Sequence, residues 1–588
     1  MHARMAAPLK LGLIIRHLRP QRRELLQGAV ALVVVNLVGV SLPLLVQNTV
    51  NSLKEGFSLP QLLQQAALIA ALATAMALVR LWSRVLVFGA GRQVEVTLRQ
   101  RIFDHLLKQE PGWVQQTGSG EVISRSTSDV ENVRRLLGFA VLSLTNTALA
   151  YSLTLPAMLA IDPWLSLAAI ALYPLMLLVV GASGGRMMGQ QRQQQRELAG
   201  LSDLIQEDLS GISAIKIYRQ EPTEQEAFKR LSDRYRDAAL ALARTRSTLF
   251  PLLEGISSLS LLVLLAIGSG QLAAGSLSLG GLVALILYVE RLVFPTALLG
   301  FTLSTFQTGQ VSLERVEELL KRESTIQDPV DPQPLQVVSN PGAIRARGLR
   351  VRYPDAPSES LAGVDFDVKP GELVAVVGPV GCGKTTLARA LGRMVEVPSG
   401  QLWIDGQDIT ALTLRDLRTK ISLVPQEGYL FTATLAENLR FGNPQASDSE
   451  LRAAARQAQL EADIQAFPAG YETLVGERGI TLSGGQRQRS ALARALLVDA
   501  PILVLDDALA SVDNRTAAAI LQSLTLNQQR SVLFISHQLS AAAACDRVLV
   551  LEQGQVVQQG HHRELVSING TYRRLWEREQ ASQQLEAA

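Results

Sequence analysis

The chain has 588 residues, with 56 basic and 53 acidic side chains, 47% apolar residues and only 19% charged ones, where soluble domains average about 25% charged. That length excludes a small stapled scaffold, and the near-balanced charge excludes a nucleic-acid binder that works by neutralising phosphates. Two distant cysteines, Cys382 and Cys545, exclude a disulfide framework or a CxxC metal site, and the six histidines show no metal-ligand spacing, with the adjacent His561 and His562 reading as solvated surface.

The mean hydropathy of +0.18 is unevenly spread. Long apolar runs fill the first 310 residues and stop there. The start of the chain has basic residues on both sides of a short apolar stretch, Leu11 to Ile15, and reads as an interfacial helix, not a signal peptide. With about 20 apolar residues needed per span, six membrane helices are predicted near 25–49, 62–88, 137–161, 164–185, 250–273 and 281–305.

Basic residues set their orientation. Six precede the first span (Arg4, Lys10, Arg16, Arg19, Arg22 and Arg23), seven lie from Arg92 to Arg135 and eleven from Arg186 to Arg246. The other connections carry Lys54 alone. Both termini and the two long loops are therefore expected in the cytoplasm, and the helix-forming residues of 93–110 and 190–245 predict helices that run on past the bilayer.

Several charges fall in or near these spans: Arg80, Arg84, Glu254, Glu290 and Arg291. A charge in hydrocarbon faces a cavity or a partner, so Glu290 and Arg291 are read as substrate contacts, as a structural pair, or as the mark of a shifted helix boundary. Pro43, Pro156, Pro174 and Pro295 are candidate kinks.

Residues 325–343, rich in Pro, Ser, Asp and Gln, read as a linker between a membrane domain over 1–324 and a soluble domain over 344–588. Beyond 344, short β-branched runs alternate with helical stretches, as in an α/β domain. The apolar strand ending at Val377 runs into Gly378, Pro379, Val380, Gly381, Cys382, Gly383, Lys384 and Thr385, which match GxxxxGK[ST] at every fixed position, followed by Thr386. In such a loop the backbone N–H groups face phosphates, Lys384 reaches the β and γ phosphates, and the Thr385 hydroxyl ligates Mg²⁺. Cys382 is read there as a tolerated small side chain. A second apolar strand, Ile502 to Asp506, ends in a carboxylate suited to the same ion.

Between these lie Leu482, Ser483, Gly484, Gly485 and Gln486. LSGGQ is the signature of ABC-transporter ATPase domains, and further motifs carry the resemblance across the domain. Tyr353 matches the aromatic residue that stacks on adenine, and Gln426 the Q-loop, which the resemblance makes a catalytic and Mg²⁺-binding position. Gly476 to Gly479 match the exporter X-loop, Ala510 to Asp513 the D-loop, and Ser536 with His537 the switch histidine. Gly120 to Arg125 with Asp129 resemble the first intracellular coupling loop of ABC exporters.

The resemblance implies a half-transporter that works as a dimer in the lipid bilayer. The signature of one chain, with Asp513, completes the ATP site of the other, and ATP and Mg²⁺ are the ligands. The expected fold is an all-α membrane domain of six helices fused to a cytoplasmic α/β P-loop ATPase domain. The expected function is ATP-driven export, or flipping between leaflets, of an amphipathic drug, lipid or peptide, and the layout suits a bacterial inner membrane. A nucleotide-gated regulatory subunit or channel is the alternative.

One residue departs from the pattern. Hydrolysing exporters place Glu directly after the Walker B aspartate, and this chain has Asp507. Asp is one methylene shorter, and a positioned base is worth roughly 10² to 10⁴ in rate. Slow hydrolysis at this chain's own site is therefore expected, and the resemblance of this Asp to the one in the degenerate-site chain of heterodimeric exporters implies a heterodimeric assembly, with an intact signature serving the partner. The retained His537 weighs towards a homodimer.

Overall fold

The computed structural model describes residues 11–53, 58–354, 356–476, 479, 481–526 and 530–587. Arg4, Lys10 and Lys54 of the charge pattern, and Glu477 and Arg478 of the X-loop, lie outside the described residues. The chain forms two compact units. One comprises the residues up to Leu107 with Gly118–Arg322, and the other Lys108–Thr117 with the residues from Glu323 onward.

Among the described residues, the membrane unit has six helical runs long and apolar enough to cross a bilayer: Gly12–Ser52, Leu59–Leu106, Ser119–Ile161, Pro163–Ser210, Glu221–Ala273 and Leu279–Lys321. Each contains one predicted span. The second is 48 residues long, about 72 Å at 1.5 Å per residue, more than twice the roughly 30 Å of the hydrocarbon core. The helices thus continue well past any bilayer. The helix Leu11–Leu18 ends at a 3₁₀ turn over Arg19–Gln21 that contains Pro20, and His17 Nε2 lies 2.8 Å from Glu317 Oε1 on the sixth helix.

Pro43, Pro156 and Pro295 lie inside their helices, as does Pro251, which the pattern of spans had not singled out. Pro174 does not. It occupies the first turn of the helix Tyr173–Ser210, where a missing N–H costs nothing, after a break at Ala171–Leu172.

The third run contains two π turns, Arg125–Asp129 and Leu136–Ala140, and its charges are tied to the sixth helix. Glu121 Oε1 accepts from Arg125 Nε at 2.8 Å and Arg315 Nη2 at 2.9 Å. The buried Asp129 accepts from Ser312 Oγ at 2.7 Å.

The second unit is built on a six-stranded sheet in the spatial order Gln555–Gly560, Arg547–Glu552, Leu373–Val377, Ser531–Ile535, Ile502–Asp506, Ile421–Val424. The four strands from Leu373–Val377 to Ile421–Val424 run parallel. They are almost entirely buried, as parallel strands covered on both faces must be. A four-stranded sheet contains Leu361–Val368, Ile344–Val351, Leu402–Ile404 and Gln407–Asp408, in that order. Residues 325–343 form no helix or strand. Lys108–Thr117, counted with the membrane half on sequence, groups with this unit. Pro111 starts a separate short helix there, and Glu110 before it accepts from Ser324 Oγ at 2.7 Å and Thr325 Oγ1 at 3.3 Å.

Candidate functional site

In an open parallel sheet, chemistry collects at the carboxyl ends of the strands. Here four adjacent strands deliver four separate motifs to that edge. Leu373–Val377 feeds the loop 378–385, Ser531–Ile535 leads to Ser536 and His537, Ile502–Asp506 ends in Asp506 and Asp507, and Ile421–Val424 leads to Gln426. Residues more than a hundred positions apart thus become neighbours through strand order alone.

The loop needs its glycines. Gly378, Gly381 and Gly383 have φ of 154°, 79° and 105°, all within the range open mainly to glycine. A Cβ on Gly378 would fall on Leu551 O, and one on Gly383 on Ser360 O. Lys384, 6% exposed, opens the helix Lys384–Leu391, and its Nζ donates to Gly378 O and Pro379 O at 2.9 Å each. The ammonium is therefore held over the mouth of the loop by carbonyl dipoles. Val380 stands exposed at the loop tip, while Cys382 is a buried free thiol, which agrees with a small packed side chain.

Thr385 and Asp506 meet. Thr385 Oγ1 donates to Asp506 Oδ1 at 3.1 Å. Asp506 is 4% exposed. Burial pushes its carboxyl above the ordinary carboxylate range, the Thr385 hydroxyl opposes the shift, and the Asp507 charge adds to it. A hydroxyl and a carboxylate oxygen at this spacing suit a hard cation that takes its remaining ligands from phosphate and water. Among the described residues no cluster of three or more His, Cys, Asp or Glu forms a metal cage made of protein alone.

Asp507 adopts φ 50° and its N–H donates to Ile535 O at 2.9 Å. Asp is one of the few non-glycine residues that tolerate this left-handed region, so the backbone itself gives a reason for a short acidic side chain. Gln426 and His537 are exposed at their strand ends. The Tyr353 hydroxyl lies 3.5 Å from Thr386 Oγ1, which brings the ring to the edge of the loop.

The signature forms a second group. Ser483 caps the helix Gly484–Leu496: its hydroxyl accepts from Gln486 N at 3.2 Å, and its own N–H donates to Gln486 Oε1 at 2.9 Å. This capping box directs the first N–H groups of a 13-residue helix outward. Gln486 Nε2 donates to Asp463 Oδ1 at 2.9 Å, and Arg489 Nη1 pairs with Asp463 Oδ2 at 2.8 Å. No hydrogen bond joins this group to the loop 378–385 among the described residues. Asp513 lies in the D-loop, exposed, and accepts from Thr516 N at 2.9 Å.

Three contacts were not visible in the motifs. Gln488 Oε1 accepts from Ser511 N at 2.8 Å, and a Cβ on Gly485 would lie 2.8 Å from Ser511 O, so the signature helix packs directly on the D-loop. Just after His537, the backbone N–H groups of Leu539 and Ser540 donate to Glu579 of the C-terminal helix at 2.7 and 3.1 Å. Only Gln488 had a signal in sequence, since it follows the signature by two positions on a helix already expected.

The family described as ABC transporter transmembrane region matches residues 25–296, and the family described as ABC transporter matches residues 361–510. A probable multidrug resistance ABC transporter ATP-binding/permease protein of Bacillus subtilis is 32% identical over 554 residues, 94% of each chain. An ATP-dependent lipid A-core flippase of Thiobacillus denitrificans is 34% identical over 491 residues, 82% of this chain and 83% of that one. The solved structure of a bacterial Atm1-family ABC exporter with ATP bound superposes with a TM-score of 0.78 at 27% identity, covering 95% of this chain and 98% of that one. Six long apolar helices ahead of a sheet edge that gathers the P-loop, Walker B, Q-loop and switch motifs, together with relatives matched over nearly their whole length, show that this multi-pass membrane protein belongs to the ABC transporter family, as an exporter half-transporter that binds ATP and couples its hydrolysis to transport.

Proposed function

We propose that the chain forms one half of a dimeric exporter that carries an amphipathic drug, lipid or peptide out of the cytoplasm or between leaflets. The observation that carries this reading is the pairing of a built phosphate loop with a separately capped signature helix: each chain offers half of two ATP sites. Lys384 binds the β and γ phosphates, the backbone of 378–386 wraps them, and Tyr353 stacks on adenine. Thr385, Gln426 and Asp506 hold Mg²⁺, which when bound neutralises phosphate charge. Ser483, Gly484, Gly485, Gln486 and Asp513 face the ATP of the partner chain. His537 and Asp507 border the reacting γ-phosphate. The distribution of Lys and Arg supports cytoplasmic termini, and the bacterial relatives support an inner-membrane location.

Asp507 sets the pace of this chain's own site. With one methylene fewer than Glu it falls short of an attacking water, and the complete signature serves a partner whose own base is intact. A heterodimer follows. The φ of 50° at Asp507 and the retained His537 favour a second reading, a homodimer in which Asp is the working base. The ATPase rate of the purified chain in lipid, beside Asp507→Glu, decides between them. Heterodimeric assembly predicts a slow parent chain and a rise on the order of 10²-fold in the Glu variant. An ordinary parent rate with little gain selects the homodimer.

A further inference from the structure

The membrane unit has a partly open cavity of about 590 Å³ whose charged and amide lining comprises Asn36, Arg80, Arg84, Asn146, Glu290 and Arg291. That volume suits a drug-sized molecule. Three arginines face one glutamate, so the lining carries two positive charges in excess. The rest of the wall is mostly leucine, phenylalanine and other small or apolar side chains.

None of the three arginines forms an ion pair among the described residues. Arg291 Nη2 donates to Asn36 O at 3.3 Å and to Asn36 Oδ1 at 3.2 Å, and Arg291 Nε is buried with no partner. Gly39 leaves room for this guanidinium, because a Cβ there would fall on it. Arg80 reaches only Met76 Sδ, at 3.7 Å. The structural pairing of Glu290 with Arg291 weighed on sequence is thus absent.

Contacts across the helices fix where these residues stand. Arg291 meets the first long helix at Asn36, and Ser83, between Arg80 and Arg84 on the second, donates to Gly28 O of that same first helix at 2.8 Å, so Arg80 and Arg84 lie on the side of Arg291 that leads to the long extensions, with Arg84 one turn beyond Arg80. Arg80 and Arg84 are exposed, as snorkelling arginines are, whereas Arg291 keeps its Nε buried. An unpaired guanidinium inside a membrane span marks a ligand path, and its planar fork fits phosphate, sulfate or carboxylate.

We infer that this cavity selects anionic amphipaths, with a phosphate, sulfate or carboxylate head entering past Arg84 and Arg80 and seating on Arg291 while an acyl or aryl body lies on the apolar wall. The inference rests on the exporter reading and narrows its substrate class.

The test is binding of labelled dodecyl phosphate to the full chain in phosphatidylcholine nanodiscs. Saturable binding is expected that unlabelled dodecyl phosphate displaces and equal dodecyltrimethylammonium does not. Arg291→Gln should weaken it at least tenfold, Arg291→Lys less than threefold, and Arg80→Gln with Arg84→Gln severalfold. Equal displacement by the cation, or unchanged affinity in Arg291→Gln, overturns the inference. Displacement by inorganic phosphate at the same concentration would make the site one for free anions and overturn its amphipathic half. A second arm measures ATP-dependent accumulation in inverted vesicles of the native membrane, where any partner chain is present, against vesicles that lack this chain. Binding without accumulation leaves the anion site standing and removes the exporter reading, whereas accumulation of the cation alone leaves the exporter and removes the anion selection.

Discussion

In the nucleotide-binding unit the buried Lys384 ammonium rests on two carbonyls 2.9 Å away and the buried Asp506 accepts from Thr385, whereas in the membrane unit Arg291 buries its Nε with no partner and no carboxylate nearby pairs with it. The first site is pre-satisfied by its own fold. It binds one ligand class, and rigid hydrogen bonds hold the geometry that phosphate transfer needs. The second is left electrostatically open. Such a site gains most when a ligand brings the missing charge, and this suits a pathway that must both take up and release its cargo. A contrast within the membrane unit makes the same point: Glu95, 3% exposed, lies within 2.8 Å of Arg92 and of Arg99 and 3.3 Å of Arg134, so this fold supplies carboxylates to arginines where the purpose is structural.

The largest break in the comparison should come from Lys384→Ala. Loss of one preorganised donor to the phosphates is worth about 10² to 10³ in turnover, and ATP affinity at this site should collapse with it. Unchanged affinity would remove the phosphate-loop assignment. Tyr353→Ala comes next, at the roughly 1 to 3 kcal/mol of a base–aromatic stack. The loss should appear for ATP and be absent for inorganic triphosphate. Gly485→Ala sets a methyl 2.8 Å from Ser511 O, so the D-loop must shift. Turnover should fall about tenfold with nucleotide affinity at the chain's own P-loop unaltered. An equal fall in affinity would show that the signature contacts its own chain's nucleotide after all.

The two units also differed in how much of them was legible in sequence. Contiguous chemistry was readable: residues 378–385 fit one spacing template, and LSGGQ fixed a family, because backbone curvature and helix capping are local properties. The membrane spans were readable for the same reason, since about 20 consecutive apolar residues are a local requirement. What escaped were contacts between distant segments. Gln488 with Ser511, Glu579 with the N–H groups of Leu539 and Ser540, and Arg291 with Asn36 join residues 23 to 255 positions apart. No periodicity encodes them. Pro174 shows a different limit. A proline in an apolar run reads equally as a kink or a helix start, and only the turn at Ala171–Leu172 distinguishes them.

Two stability measurements sharpen the comparison further. Glu95→Gln should destabilise the membrane unit by about 1 to 2 kcal/mol, less than the 3 to 5 of a fully buried pair because its arginines are partly solvated. Arg291→Gln, which removes a charge that has no carboxylate, should cost less than that. If both variants lose the same stability, Arg291 is structural and the contrast fails.

The smallest expected effect comes from Asp506→Asn, and its sign is the informative part. Burial raises the Asp506 carboxyl above its usual range, so the folded chain holds this proton more tightly than the unfolded chain does. Stability therefore falls as pH rises from the ordinary aspartate range through the raised one, and once ionised the carboxylate is a net burden on the empty fold. Asn removes the charge and keeps an acceptor for Thr385. Without nucleotide, Asp506→Asn should accordingly be more stable than the parent wherever that carboxylate is ionised, by up to about 1 kcal/mol. The gain should shrink as pH is lowered and the parent carboxylate takes up its proton, while hydrolysis is lost at every pH. A variant less stable than the parent in that range, or a gain that grows on acidification, would mean that the fold stabilises the charged form, and Asp506 would then belong with Glu95 as a structural carboxylate.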